Sequence, residues 1–175
     1  MIEYLHIFVE GPTDRLFIEK VFDDILLKVC NRYIVVEFSN KEYKKINNYI
    51  KTIKKVSNWD YIFLADQDGN LDKKNKMLMQ FNDLEANKLF ISIYEIESWI
   101  IAGISEKIMK KHKIKFSYSD TSNIKKEIFN NIIPKNMNKL EFISYILSDY
   151  NLKNAIMLNE SLNIFNQYLS NKKAS

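Results

Sequence analysis

The strongest constraint on the fold is an alternation along the first part of the chain. Short β-rich runs at Tyr4–Val9, Tyr33–Phe38, Tyr61–Ala65 and Leu89–Tyr94 are separated by segments of helical period. After the first run, Glu10-Gly11-Pro12 breaks the strand, and Thr13 is expected to cap a helix with Asp14 in its first turn. Leu16, Phe17, Val21, Phe22, Ile25, Leu26 and Val29 then recur at helical spacing, which predicts one continuous helix. Lys41–Val56 reads as a second helix with Ile46, Tyr49, Ile50, Ile53 and Val56 on its apolar stripe. Met77, Leu78, Phe81 and Leu84 mark a third, and Glu97–Ile104 begins another. Strands separated by helical crossovers this long pair in parallel, because tight hairpins are absent. The expected fold class is therefore α/β: a Rossmann-like, mostly parallel four-stranded sheet flanked by helices.

From about Ser105 the strand signals stop. Thr121–Ile132, Asn138–Asp149 and Ser161–Leu169 read as helices, with Thr121 and Asn138 as expected caps. The predicted organisation is a core over residues 1–104 and a C-terminal helical extension over 105–175, packed together as one unit. With 3 Gly and 2 Pro in 175 residues, no linker interrupts it. The polar tail from Asn171 to Ser175 is expected to fray. A composition of 46% hydrophobic and 27% charged residues suits one folded domain and excludes disordered and fibrous classes.

Composition also narrows the chemistry. Cys30 is the single cysteine, which excludes an internal disulfide and a cysteine zinc site. His6 and His112 lie far apart, so a histidine zinc site is not expected, and His112, in a lysine-rich segment, is expected to be exposed. A resident metal would be a hard ion held by carboxylates. Glu3 stands where a signal peptide carries basic residues, and no apolar run reaches the ~20 residues needed to span a bilayer. A soluble cytoplasmic protein is expected. The net charge of +4 permits a polyanionic partner without requiring one. Of 26 cationic residues only Arg15 and Arg32 are arginine. The accompanying Asn and Ile excess is what AT-rich coding sequence produces, so the lysine count itself carries little weight.

The acidic residues carry more. Glu10 follows the first strand, Asp66 and Asp68 the third, Glu95 and Glu97 the fourth. Ligands of open parallel sheets bind outside the carboxyl ends of the strands. Five carboxylates gathered there repel one another unless a cation neutralises them, and oxygen-only ligands suit Mg²⁺ or Mn²⁺. In an extended segment Asp66 and Asp68 would share a face. Each motif has a plainer reading. Glu10 to Asp14 can be a turn and helix cap, Asp66-Gln67-Asp68-Gly69 a turn, and one of the last two glutamates a helix N-terminal acid. Asp66-x-Asp68-x-Asn70-x-Asp72 is no EF-hand loop, since Leu71 replaces the required Gly and Met77 the bidentate Glu. No Gly-Lys-Ser/Thr follows Gly11, so the first turn is no P-loop.

Taken together, Val9-Glu10-Gly11-Pro12-Thr13-Asp14-Arg15, Leu64-Ala65-Asp66-Gln67-Asp68-Gly69 and Glu95-Ile96-Glu97-Ser98-Trp99 resemble a TOPRIM domain. The resemblance is to those of OLD-family (overcoming lysogenization defect) nucleases and small stand-alone relatives. It extends into the helical tail through Lys139-Leu140-Glu141-Phe142 and Asn159-Glu160-Ser161-Leu162-Asn163-Ile164-Phe165. The resemblance implies a TOPRIM fold and metal-dependent phosphodiester hydrolysis, as an Mg²⁺ or Mn²⁺ nuclease or nickase on DNA, in phage defence or defence against mobile elements. It implies metal binding by Glu10, Asp66 and Asp68, with Glu10 also a general acid or base and Asp14 a second-metal ligand. Glu97, followed by Ser98-Trp99, is the preferred acid of the last pair, with Glu95 sharing the site. Lys139 is the candidate for the assisting lysine of the OLD type, with Lys135 behind it. Full-length OLD nucleases carry an N-terminal ATPase that this chain lacks, which leaves room for a separately encoded ATPase partner.

Phosphate tracks are expected at Lys73, Lys74 and Lys76, directly after the Asp-x-Asp loop. Lys44, Lys51 and Lys55 fall near one helix face, and Lys107, Lys110, Lys111, Lys113 and Lys115 form the densest run. A solvated helix face is the plainer reading of each such run. Two other functions remain open: a non-catalytic subunit binding nucleic acid or an ATPase partner, and a dehalogenase-type phosphatase built on Asp66-x-Asp68-Gly69. Asn70 stands where that phosphatase motif has Thr or Val.

Overall fold

Four strands form where the apolar runs lie: β1 (Ile2–Val9), β2 (Cys30–Glu37), β3 (Trp59–Asp66) and β4 (Leu89–Ser92). The computed structural model describes residues 2–114 and 119–173; Lys115 of the basic run lies outside them. All strand pairs are parallel, in the order β2-β1-β3-β4. The α/β expectation therefore holds. β1 and β3 run through the middle with both faces covered, which is why their sequences are almost wholly apolar. Along β1, alternate residues serve opposite layers. Leu5, Ile7 and Val9 face a core containing Phe17, Trp99, Phe142 and Phe165. Phe8 faces the second core, with Phe63, Ile46, Ile50 and Phe81.

The first helical segment is two helices, α1 (Pro12–Val21) and α2 (Asp23–Leu26). Phe22 keeps the apolar period but leaves the helix, with φ −108° and ψ 0°. Its ring packs at 6.0 Å from Phe17 and 5.1 Å from Phe165, and Asp23 and Asp24 supply the acids of a new first turn. Thr13 does not cap α1. Gly11 is the N-cap, Pro12 opens the helix, and Asp14 accepts the Gly11 N–H at 2.8 Å. The next helices are α3 (Tyr43–Ile53) and α4 (Lys73–Gln80), and a short 3₁₀ turn (Ala86–Lys88) leads into β4.

The C-terminal part is helical throughout its described elements: α5 (Glu97–Ala102), α6 (Glu106–Lys111), α7 (Lys126–Ile132), α8 (Lys139–Leu147), α9 (Leu152–Leu158) and α10 (Glu160–Lys173). Asn138 caps α8 as expected, in a reciprocal pair with Glu141. Thr121 starts no helix. It is buried and donates its hydroxyl to the Leu158 carbonyl at 3.1 Å. Of the tail expected to fray, residues 171–173 belong to α10, with the Lys172 ammonium on Asp60 at 2.5 Å, and residues 174–175 lie outside the described residues. His112 is half-buried, its ring 5.6 Å from Phe142 and 5.3 Å from Tyr145, which corrects its expected exposure.

The junction of α9 and α10 fastens the extension to α5. Asn159, fully buried, donates to the Ser98 and Thr121 hydroxyls and accepts from the Ser161 hydroxyl and the Leu162 N–H. Trp99 donates its indole N–H to Ser161 at 2.8 Å. A buried polar group is tolerated when its partners are all found, and here the amide finds four.

Candidate functional site

The carboxyl ends of β1, β3 and β4 open onto a cleft of about 280 Å³, lined by Glu10, Asp14, Asp66, Asp68, Glu95 and Glu97, with Ser39 and Lys126 at its edge. All six acids anticipated from the sequence therefore meet in one place. Glu10 leaves β1 and accepts the Asp66 N–H at 3.1 Å, joining two neighbouring strand ends. Asp14, on the first turn of α1, is buried beneath it. Asp66 is the last residue of β3 and pairs in register with Ser92, whose hydroxyl donates to it at 2.5 Å.

Asp68 is placed differently from the extended expectation. The chain turns out of the strand there, with φ +52° at Asp68 and +68° at Gly69. Aspartate and glycine are the residues that accept this left-handed backbone at low cost. Asp68 thus reaches the cleft from an exposed turn, while Asp66 reaches it from the strand.

Glu95 and Glu97 are both buried. Glu95 accepts the Lys126 N–H and its ammonium, each at 2.7 Å. Glu97 opens α5 and pairs with Lys139 at 2.5 Å. Lys73 donates to Asp68 at 2.8 Å and to Glu10 at 3.2 Å.

The cluster is electrostatically loaded. Burial, and then the charges of Glu10 and Glu97, push the Asp14 carboxyl up to about 7 against the hydrogen bond from Gly11. Burial and the charges of Asp14, Glu10 and Glu97 raise Asp66 well above the usual carboxylate range, despite the Ser92 hydrogen bond. Burial works against the Lys73 ammonium, but Asp68 and Glu10 outweigh it and raise its pKa.

This donor set fits a hard divalent ion: every candidate ligand is a carboxylate oxygen, and two acids bear the like-charge stress that a cation relieves. Among the described residues no three acidic, histidine or cysteine side chains already surround a single ion position. Lys73, Lys126 and Lys139 engage four of the six carboxylates, so closing on an ion requires side-chain rotation.

Comparison with solved structures agrees with the architecture. The C-terminal region of the OLD protein from Burkholderia pseudomallei superposes with a TM-score of 0.57 at 18% identity, covering 94% of this chain and 98% of that one. The corresponding region from Xanthomonas campestris pv. campestris gives 0.56 at 14% identity, covering 97% and 95%. The fold is that of the OLD C-terminal region. At these identities the likeness is one of fold and carries no residue roles. No protein-family model matches the chain, and no curated protein matches it.

The lysines divide. Lys139 does reach the site, although 42 residues separate it from Glu97 in the sequence. Lys73, expected to track phosphate beside the acidic loop, reaches it too and donates to two carboxylates. Lys74 is exposed and borders a separate hollow beside β4, with Phe90 and Ile164. Lys76 and Lys135 are exposed, and neither lines the cleft among the described residues. Lys44, Lys51 and Lys55 on and after α3, and Lys107, Lys110, Lys111 and Lys113 around α6, are also exposed and do not line it. Sequence reasoning missed Ser92 and Lys126. Ser92 is significant only because β4 pairs with β3 in that register, and Lys126 carries no local motif.

No helix among the described residues is long and apolar enough to cross a membrane.

Proposed function

We propose that this chain hydrolyses phosphodiester bonds in nucleic acid with the help of Mg²⁺ or Mn²⁺. The observation carrying this reading is the convergence of six carboxylates, from three strand ends and two helix starts, on one cleft rimmed by lysines. In this reading Glu10, Asp66 and Asp68 hold the metal, Asp14 and Glu97 extend the site to a second position, and Glu95 braces its edge. A bound divalent ion would polarise the phosphate and favour a nucleophilic hydroxide. Ser92 orients Asp66 through their hydrogen bond. Glu10, half-buried and adjacent to Asp66, is the group placed to take or give a proton at its carboxylate oxygen. Lys73 and Lys139 are held at the rim, where each can leave its carboxylate for a phosphate oxygen once a cation takes over that charge.

DNA as substrate, and a role in defence against mobile elements, belong to the same proposal and rest on the resemblance in the acidic motifs. A plasmid nicking assay in Mg²⁺ or Mn²⁺ tests it: the protein should cut, and Asp66→Ala should lower the rate by more than about tenfold, the lower end of what losing even a supporting group of a metal site costs. Equal activity of the two proteins refutes the assigned site.

A second reading has its own support. Three lysines already pair with four of the six carboxylates, as in a module that binds nucleic acid or a protein partner without cutting. Calorimetry separates the two, since a non-catalytic module takes up no divalent ion at millimolar concentration.

A further inference from the structure

A second hollow, of about 220 Å³, adjoins the acidic cleft and shares Asp68, Glu95 and Lys126 with it. Its remaining wall includes Tyr94, Lys125 and Glu127. Tyr94 is the unusual element. Its φ is +59°, a backbone conformation that bulky residues avoid. Two hydrogen bonds hold it there: the Asp68 N–H donates to the Tyr94 carbonyl at 2.9 Å, and the Tyr94 N–H donates to the Gln67 amide oxygen at 3.4 Å. Both partners lie in the loop that carries Asp68. The Tyr94 backbone is therefore tied to the turn of a candidate metal ligand, and the residue is half-buried with the Lys125 ammonium 5.4 Å from its ring centroid.

The charge pattern of the hollow indicates what it accepts. Three carboxylates and two ammoniums line it. That excess of acids disfavours a phosphate, whereas a neutral, polar heteroaromatic ring finds a face to stack on and both acceptors and donors at its edge. Its size suits one ring system, being below the ~300 Å³ at which pockets for drug-sized ligands begin.

We propose that this hollow holds one unstacked nucleobase on the face of Tyr94, beside the phosphate bound in the acidic cleft. The inference rests on the nucleic-acid reading above and narrows its substrate. A base within a duplex is stacked on both faces and does not reach the Tyr94 ring, so the preferred substrate has an unpaired nucleotide next to the cut: a single strand, a flap or a frayed end. Lys125, over the ring, is displaced toward the adjoining phosphate as the base enters.

The experiment uses the full chain with a single-stranded oligonucleotide containing a fluorescent adenine analogue whose emission stacking quenches, in Ca²⁺ to limit cleavage. Wild-type protein should quench the emission, and the matching duplex should bind more weakly. Tyr94→Asn removes the ring while keeping a residue that tolerates the left-handed backbone. It should lose the quenching and on the order of tenfold in affinity, while Tyr94→Phe retains both. Thermal melting verifies that each variant is folded. Unchanged quenching in Tyr94→Asn, equal preference for duplex, or no oligonucleotide binding overturns the proposal. Plasmid nicking measured in parallel keeps the two readings apart. A protein that nicks but shows no Tyr94-dependent quenching lacks the base subsite and retains the nuclease. One that shows the quenching but never cuts retains the subsite and loses the nuclease.

Discussion

Replacing Asp14 by Asn should stabilise the metal-free protein, although it removes an acid from the candidate site. Asp14 is 5% exposed, and burial together with the charges of Glu10 and Glu97 lifts its carboxyl from 3.8 to about 7. A carboxylate raised in the folded state binds its proton more tightly there, so folding gains from acid pH and loses as pH rises from 3.8 toward 7. At about 1.4 kcal/mol per unit, full ionisation costs the fold at most about 4 kcal/mol. Local relaxation and water entry bring the expected figure to roughly 2 kcal/mol. Asparagine is of the same shape, carries no charge and keeps an oxygen for the Gly11 N–H. Thermal unfolding in EDTA near pH 8 should therefore show Asp14→Asn melting about 4–8 °C above wild type, from the 2–4 °C per kcal/mol typical of this chain length. The difference should narrow as pH falls through about 5 and vanish below about pH 4. Adding Mg²⁺ should then raise the wild type more than the variant. A variant no more stable than wild type near pH 8 in EDTA, or a gain that persists below pH 4, refutes the claim that the cleft is strained by its own charge.

Two further outcomes concern the framework around the site. Gly103→Ala should destabilise by about 1–3 kcal/mol or more in urea unfolding, because a Cβ would lie 2.3 Å from the ring of Tyr150. That ring cannot swing away freely, since its hydroxyl donates to the Trp99 carbonyl at 2.6 Å. Asp60→Asn should cost about 2 kcal/mol at neutral pH by removing the shared partner of Lys88 and Lys172, each about one-fifth exposed. Burial opposes ionisation of Asp60 but the two lysines prevail and lower its pKa, so its contribution is present above the ordinary carboxylate range and is lost as pH falls through the depressed value. The gap between wild type and variant in urea should close on acidification.

Much of the fold is legible in the amino-acid sequence. The long spacing between apolar runs requires crossovers, crossovers make the sheet parallel, and a parallel sheet carries its ligands at the carboxyl edge. The acids placed there by the sequence do meet in the cleft. Local geometry was less legible. Periodicity marks which residues are buried, and Phe22 is buried whether or not the helix continues through it. Thr13 looked like a cap because threonine commonly is one, yet Pro12 already occupies the first helical position and leaves Gly11 as the cap. Thr121 likewise has the chemistry of a cap and spends it on Leu158.

The sequence by itself determined the parts that depend on near neighbours: strand or helix, the parallel sheet, and a run of acids at successive strand ends. The tertiary structure decided how those acids are partnered. Ser92 meets Asp66 only through the β3–β4 register, and Lys126 and Lys139 reach Glu95 and Glu97 only because the C-terminal helices fold back over α5. Lys73 turns inward because the ends of β1 and β3 bring Glu10 and Asp68 close enough together to share its ammonium. Tyr94 acquires its left-handed backbone from hydrogen bonds to a loop that starts at the end of another strand. Periodicity is a short-range signal. Charge pairing and register act between segments brought together by packing, and they appear only once the sheet and its helices have closed.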